Sequence, residues 1–252
     1  MGPLGWHRLA RVVSTGPADA WLLPRLRMSF RPVPSPINDR RAKLGGQPVW
    51  LDEPFWPQSA ILGSPMTFIG QFPIPGPAQA MAYLFLTDED GTLGTWDPEG
   101  GETALIVQPG GRVARFLAGT PDATGPSLWR RGPQWTDRVP VELSVELSVF
   151  NDAEQMALEA DIAYQDAVRA ETFAEVPIPD HDVLTPTSYV GGRPHFWQPQ
   201  IQVSRSWLFF FQLDGCEGWE DDEPYTLNFG GGTGYAFLSQ DELEGRFYWD
   251  CV

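Results

Sequence analysis

Few residues in this chain are of a type and spacing that does chemistry. The three histidines, His7, His181 and His195, are far apart, and no His-x-x-x-His or Cys-x-x-Cys pair offers zinc a ready site. His181 between Asp180 and Asp182 can be read as an acid–base or metal pair, or as a solvated loop. Cys216 follows Asp214 and precedes Glu217; neighbouring carboxylates raise a thiol's pKa and oppose its use as a nucleophile. No Gly-x-Ser-x-Gly elbow occurs. Gly45-Gly46 and Gly191-Gly192 are either anion-binding nests or tight turns closed by the proline that follows. Gly230-Gly231-Gly232-Thr233-Gly234 lacks the Lys-Ser/Thr and the helix of a phosphate loop and runs into an apolar segment, as a hairpin connection would. No catalytic residue, cofactor or metal site is therefore expected. What stands out is acid. Asp214, Glu217, Glu220, Asp221, Asp222 and Glu223 place six carboxylates within ten residues, with Trp219 among them. Their spacing is not that of an EF-hand loop. An aromatic anchor inside an acidic run suits recognition of a basic protein, and Asp88, Glu89 and Asp90 extend the same candidate partner-binding field.

The elements that must carry these residues are mostly strands. Twenty-six Gly and 25 Pro interrupt the 252 residues too often for a helical protein. Between them recur short apolar segments: 67–71, 82–86, 105–108, 141–149, 206–213 and 235–238. Val141 to Val149 alternates apolar and polar residues as a strand with one buried face does, and Gln200 to Ser204 alternates likewise. Only Asn151 to Glu175, free of Pro and Gly, reads as a helix. Asn151 or Asp152 caps it, and Met156, Ala160, Ala163, Ala167 and Ala170 form its expected apolar stripe.

Three sequence blocks occur twice in the same order. Leu44-Gly45-Gly46-Gln47-Pro48-Val49-Trp50 returns as Val190-Gly191-Gly192-Arg193-Pro194-His195-Phe196. Phe68-Ile69-Gly70-Gln71-Phe72 returns as Phe209-Phe210-Phe211-Gln212-Leu213. Tyr83 to Thr87, closing with Trp96-Asp97, returns as Tyr235 to Ser239, closing with Trp249-Asp250. The expected fold is mainly β (α+β): two pseudo-symmetric β halves, about 44–149 and 185–252, packed into one domain over residues 36–252. A longer helix around 151–175 joins them, and residues 1–35 form a basic N-terminal arm.

These blocks also carry a family resemblance. Lys43-Leu44-Gly45-Gly46-Gln47-Pro48, Phe55-Trp56-Pro57 and Met66-Thr67-Phe68-Ile69-Gly70-Gln71 resemble the opening of the YwqG-like family, and Phe211 to Asp214 with Gly234 to Leu238 resemble its closing strands. The resemblance implies a β-rich duplicated fold and little chemistry, since the family is a domain of unknown function with no agreed catalytic residues to carry over. It also implies kinship with members that sit beside polymorphic toxins, type VI secretion effectors included, as their immunity proteins. The long basic arm and the acidic loop near Trp219 depart from the family pattern.

Charge narrows the function. Seventeen basic residues face 33 acidic ones, a net charge of −16. Residues 1–43 hold eight basic residues against two acids, and the remainder nine against 31. Such a body repels nucleic acid and anionic membranes and attracts cationic partners. No apolar run approaches the roughly 20 residues of a membrane span. Met1 to Trp6 lacks the basic start of a secretory signal, and Cys216 and Cys251 make no disulfide framework, so a cytoplasmic, reduced protein is expected. The expected function is to bind and neutralise a cognate antibacterial toxin, a basic nuclease, by occluding its cleft with carboxylates. The alternative is a small-molecule or peptide-binding module, or an enzyme, with a pocket between the halves lined by Trp50 and Phe196, or Gln71 and Gln212. A filled seam favours the first reading and a deep cleft the second.

Overall fold

A computed structural model describes residues 12–13, 21–22, 24–76, 78–88, 94–134, 136–172, 176–178, 188–198, 203–204, 206–216, 223–227 and 229–251. In chain order the strands are β1 (Val12–Val13), β2 (Trp21–Leu22), β3 (Leu26–Pro32), β4 (Lys43–Gly45), β5 (Trp56–Gln58), β6 (Thr67–Pro73), β7 (Met81–Leu86), β8 (Thr103–Gln108), β9 (Ala118–Thr120), β10 (Trp129–Arg131), β11 (Arg138–Pro140) and β12 (Glu142–Ser148). The helix α1 (Asp152–Arg169) follows, then β13 (Tyr189–Val190), β14 (Leu208–Asp214), β15 (Thr233–Leu238) and β16 (Gly245–Asp250). The architecture is mainly β with one longer helix. No helix among the described residues is long and apolar enough to cross a membrane.

Ten strands form one antiparallel sheet in the order β16-β15-β14-β13-β3-β12-β4-β6-β7-β8. Read outward from its centre, this order is the same on both sides: β4, β6, β7 and β8 correspond to β13, β14, β15 and β16. The registers agree residue for residue. Gln71 faces Tyr83 as Gln212 faces Tyr235, and both β6 and β14 carry a bulge, at Phe68/Gly70 and Phe209/Phe211. The two halves are thus related by the repeat legible in the sequence. One part of that alignment is corrected. Met81 pairs with Gln108 and Thr233 with Asp250, so Trp249-Asp250 corresponds to Val107-Gln108. Trp96-Asp97 instead lies on a turn before β8.

The sheet curls until its first and last strands meet. Thr103 Oγ1 donates to the Phe247 carbonyl at 2.9 Å, and the Arg112 N–H donates to the Leu243 carbonyl at 2.6 Å. Inside this nearly closed barrel lie Leu44, Phe72, Leu84, Leu105, Phe211, Leu213, Phe247 and Trp249. The outer faces are buried too. On the first half Trp50, Leu51 and Phe55 cover Phe68, Tyr83 and Phe85; on the second, α1 and Phe196 cover Tyr189, Phe209, Tyr235 and Phe237. Burial on both faces is why β6, β7, β14 and β15 read as unbroken apolar runs, whereas β12 alternates. Residues 26–32, within the segment expected as an arm, form β3 at the middle of the sheet between β12 and β13. Its arginines lie against acids of the body: Arg25 pairs with Glu159, Arg27 with Glu154 and Arg31 with Glu146.

Candidate partner-binding end of the barrel

Strand direction decides which loops share an end. β7 and β14 run the same way in the alternating sheet, so the segments leaving Leu86 and Asp214 emerge together. The expected partner-binding residues Asp88, Asp214 and Glu223 are described; Glu89, Asp90, Glu217, Trp219, Glu220, Asp221 and Asp222 lie outside the described residues, as does His181. Asp214 ends β14, its N–H donating to Ser188 Oγ at 2.9 Å, while its carbonyl accepts from the buried Tyr225 hydroxyl at 3.0 Å. The Asp214–Tyr225 bond pins the two stems of the acidic loop together. Phe30 of β3 meets the Tyr225 ring edge-on at 5.3 Å.

Two tryptophans join this loop to the exit of β7. The Thr226 N–H donates to the Trp129 carbonyl at 2.9 Å, and Trp129 Nε1 donates to Asp88 Oδ2 at 2.6 Å. Trp249 stacks on Phe229, centroids 5.6 Å apart, and its Nε1 donates to Thr95 Oγ1 at 2.8 Å. Three acidic stretches that are remote in sequence therefore leave from one end: the one beginning at Asp88, the turn with Asp97 and Glu99, and the one between Asp214 and Glu223. Asp88 itself is not a bare charge, because Arg138, stacked over Trp129, pairs with it at 2.8 Å.

Trp96 is the residue that sequence reasoning missed. It is 46% exposed beside Asp97, the only aromatic among the exposed large apolar residues described. The signal was in the sequence, a tryptophan followed by Asp97 and Glu99, but aligning it with Trp249 disguised it as a strand residue.

At the barrel interior the two halves are in contact. Phe72 and Phe211 touch across the barrel interior with centroids 4.0 Å apart. Gln71 and Gln212 do not line a shared pocket; each holds the turn of its own half. Gln71 Oε1 accepts from the Val49 N–H at 2.8 Å, and Gln212 Oε1 from the His195 N–H at 3.0 Å. Trp50 and Phe196 pack on opposite outer faces. A groove of about 540 Å³ beside Asp52, Glu53 and Gln108 belongs to the first half alone. His195 is buried, and that burial lowers its pKa, against the pull of Asp161. Among the described residues no group of His, Cys, Asp or Glu could hold a metal, and Cys216 and Cys251 are not disulfide-bonded to each other. The glycine pairs are tight turns with φ between +66° and +73°. A side chain at Gly46 would strike the Glu142 carboxylate, and one at Gly192 the Arg25 guanidinium; the Gly46 and Gly191 N–H groups donate to the Val141 and Phe210 carbonyls, as turn residues do.

No known family, curated protein or solved structure matches this chain. Function must be argued from the acidic end itself.

Proposed function

We propose that this chain is a YwqG-like immunity protein that binds and neutralises a cognate antibacterial toxin in the cytoplasm. Its target on this reading is a basic nuclease effector of a type VI secretion system. The observation that supports it is the gathering of three acidic stretches at one barrel end. A nuclease cleft is lined with cations that hold phosphates, and an array of carboxylates competes for the same cations. Long-range attraction speeds encounter, which an inhibitor needs if it is to capture a toxin before substrate is cut. Among the described residues Asp97, exposed at this end, makes no intramolecular ion pair. The alternative of a ligand pocket between the halves cannot draw on Gln71 and Gln212, whose amides hold the turns of their own halves.

The test is protection. Cells expressing a secreted nuclease encoded beside this gene should survive when this chain is co-expressed. The association rate of the purified pair should fall steeply as salt rises, because exposed charges are screened beyond about 8 Å at physiological ionic strength. Survival no better than with the toxin alone, or association indifferent to salt, would sink the reading.

A further inference from the structure

The geometry points to the Trp96 turn and the neighbouring turn at Ile61-Leu62 as the anchor that seats an apolar segment of a partner framed by arginine or lysine. This inference rests on the reading that the acidic barrel end binds a basic protein. Its own ground is exposed apolar side chains on two turns that are bonded to the same stretch of backbone before β8. Trp96, Ile61 and Leu62 are 46, 61 and 45% exposed. Thr95, buried, is fastened to Trp249 by the 2.8 Å bond that Trp249 Nε1 donates. Past Trp96 the chain turns twice: the Asp97 N–H donates to the Gly94 carbonyl at 3.0 Å, and the Glu99 N–H to Asp97 Oδ1 at 2.9 Å. Arg246 Nε then holds Glu99 at 3.0 Å.

The second turn is fixed to the end of the first. The Ala60 N–H donates to the Gly101 carbonyl at 3.1 Å. Glu102, fully buried, accepts from the Ile61 N–H at 2.8 Å and from Ser59 Oγ and Thr87 Oγ1 at 2.6 Å each. A carboxylate is costly to bury, and this one has three donors and, among the described residues, no ion-pair partner, an arrangement that fixes loops. Glu102 is thus a positioning residue: it ties the Ile61-Leu62 turn to Thr87 at the exit of β7 and to the end of the segment that carries Trp96. Side chains already fixed in place lose little freedom on docking, which is what lets a few apolar residues carry most of a binding energy. The partner's chemistry follows from the frame. Beside Trp96 the frame is acidic: among the described residues Asp97 has no ion-pair partner, and Glu99 shares its one arginine, Arg246, with Glu244. An apolar centre within a negative frame fits an apolar residue flanked by cations, with an arginine able to stack on the indole.

The probe is a short synthetic peptide with a Leu-Leu centre flanked by arginines, against a control with Ser-Ser at the centre. The protein should bind the Leu-Leu peptide more tightly. Trp96→Ala should weaken that binding about tenfold while barely changing the control, as expected for loss of a dominant anchor. The double variant Ile61→Ser with Leu62→Ser should act in the same direction, and both variants should unfold at the parental temperature, since the residues changed lie outside the core. If parent and Trp96→Ala bind both peptides equally and salt still weakens them, the anchor is overturned while the acidic-end reading stands. If neither peptide binds, both are overturned.

Discussion

Asp250 stands where the first half has Gln108, and the exchange changes what one buried position does with protons. Gln108 Oε1 accepts the N–H groups of Leu51 and Asp52, both at 3.0 Å; Asp250 accepts those of the corresponding Trp197 and Gln198, at 3.3 and 3.1 Å. In the first half the Tyr83 hydroxyl donates to the Val49 carbonyl at 2.6 Å. Its counterpart Tyr235 has two acceptors in reach, the His195 carbonyl at 2.8 Å and Asp250 Oδ1 at 2.7 Å, and a single proton to give. A proton on Asp250 resolves the conflict, because the carboxyl can then donate to the tyrosine oxygen. Burial raises the Asp250 pKa, against the bonds from Tyr235, Gln198 and Trp197 and the charge of Arg169. The folded state therefore holds this proton more firmly than the unfolded chain. The stability it contributes is fully present below the unfolded aspartate value, about 4, and is lost as pH rises through the raised folded value. Glu154 and Asp241, lowered by Arg27 and Arg112, slope the other way, so the comparison must be between variants. Asp250→Asn keeps the shape and removes the titration. Urea unfolding from pH 4 upward should show the parent losing ground to the variant with each step; parallel profiles would refute the shared proton. The repeat exposed Gln71 and Gln212 as a pair in the sequence. Their task was hidden, because a glutamine in an apolar strand can line a cavity or hold a turn, and only the partners of its amide decide.

At the scale of elements, strands were legible and faces were not always. The runs at 67–71, 82–86 and 235–238 are cores of β6, β7 and β15, and the break in Gly and Pro marks α1, which starts at the expected Asn151 cap. Asn151 and Glu154 form a full capping box, with bonds of 2.9 and 3.0 Å. The helix ends at Arg169, earlier than Glu175, and its buried residues are Leu158, Ile162 and Ala167. Of the expected stripe only Ala167 is among them; Met156 is 73% exposed. Alanine satisfies either face, so the stripe was drawn through the most numerous residue and not the largest. Charge contributed to the true orientation. Arg25 and Arg27 beside the sheet take Glu159 and Glu154, which turns the Leu158–Ile162 face inward against Tyr189 and Phe196. Leu158→Ala should therefore cost about 2–5 kcal/mol, whereas Met156→Ala should stay within about 0.5 kcal/mol. Equal losses on urea unfolding would restore the outward stripe to the core. β3 was concealed for a related reason: Arg25, Arg27 and Arg31 made its segment look like a solvated arm, though Leu26 and Met28 between them enter the core.

Duplication forecast two halves; how the whole molecule closes was not in the pattern, because closure depends on strands that the sequence places 137 or more residues apart. The register makes Gly245 the counterpart of Thr103, yet the seam treats them differently. Thr103 reaches across to the Phe247 carbonyl, while Gly245 lets β16 press against β8. A Cβ at Gly245 would lie 2.4 Å from the Leu105 carbonyl oxygen and 2.6 Å from the Leu105 side chain, with backbone on one side and core on the other. Neither can yield cheaply. Leu105 belongs to the same interior cluster as Phe72 from the first half and Phe211 from the second, so prising the seam open loosens a core that both halves share. Gly245→Ala should lower stability by about 1–3 kcal/mol, the usual cost of overfilling a packed site. The loss should appear as a lower urea midpoint with the slope unchanged, one transition as before, because neither half retains a complete interior without the other. Two separated transitions would mean that each half is a domain in its own right, and that the contact of Phe72 with Phe211 joins two cores where the barrel requires one.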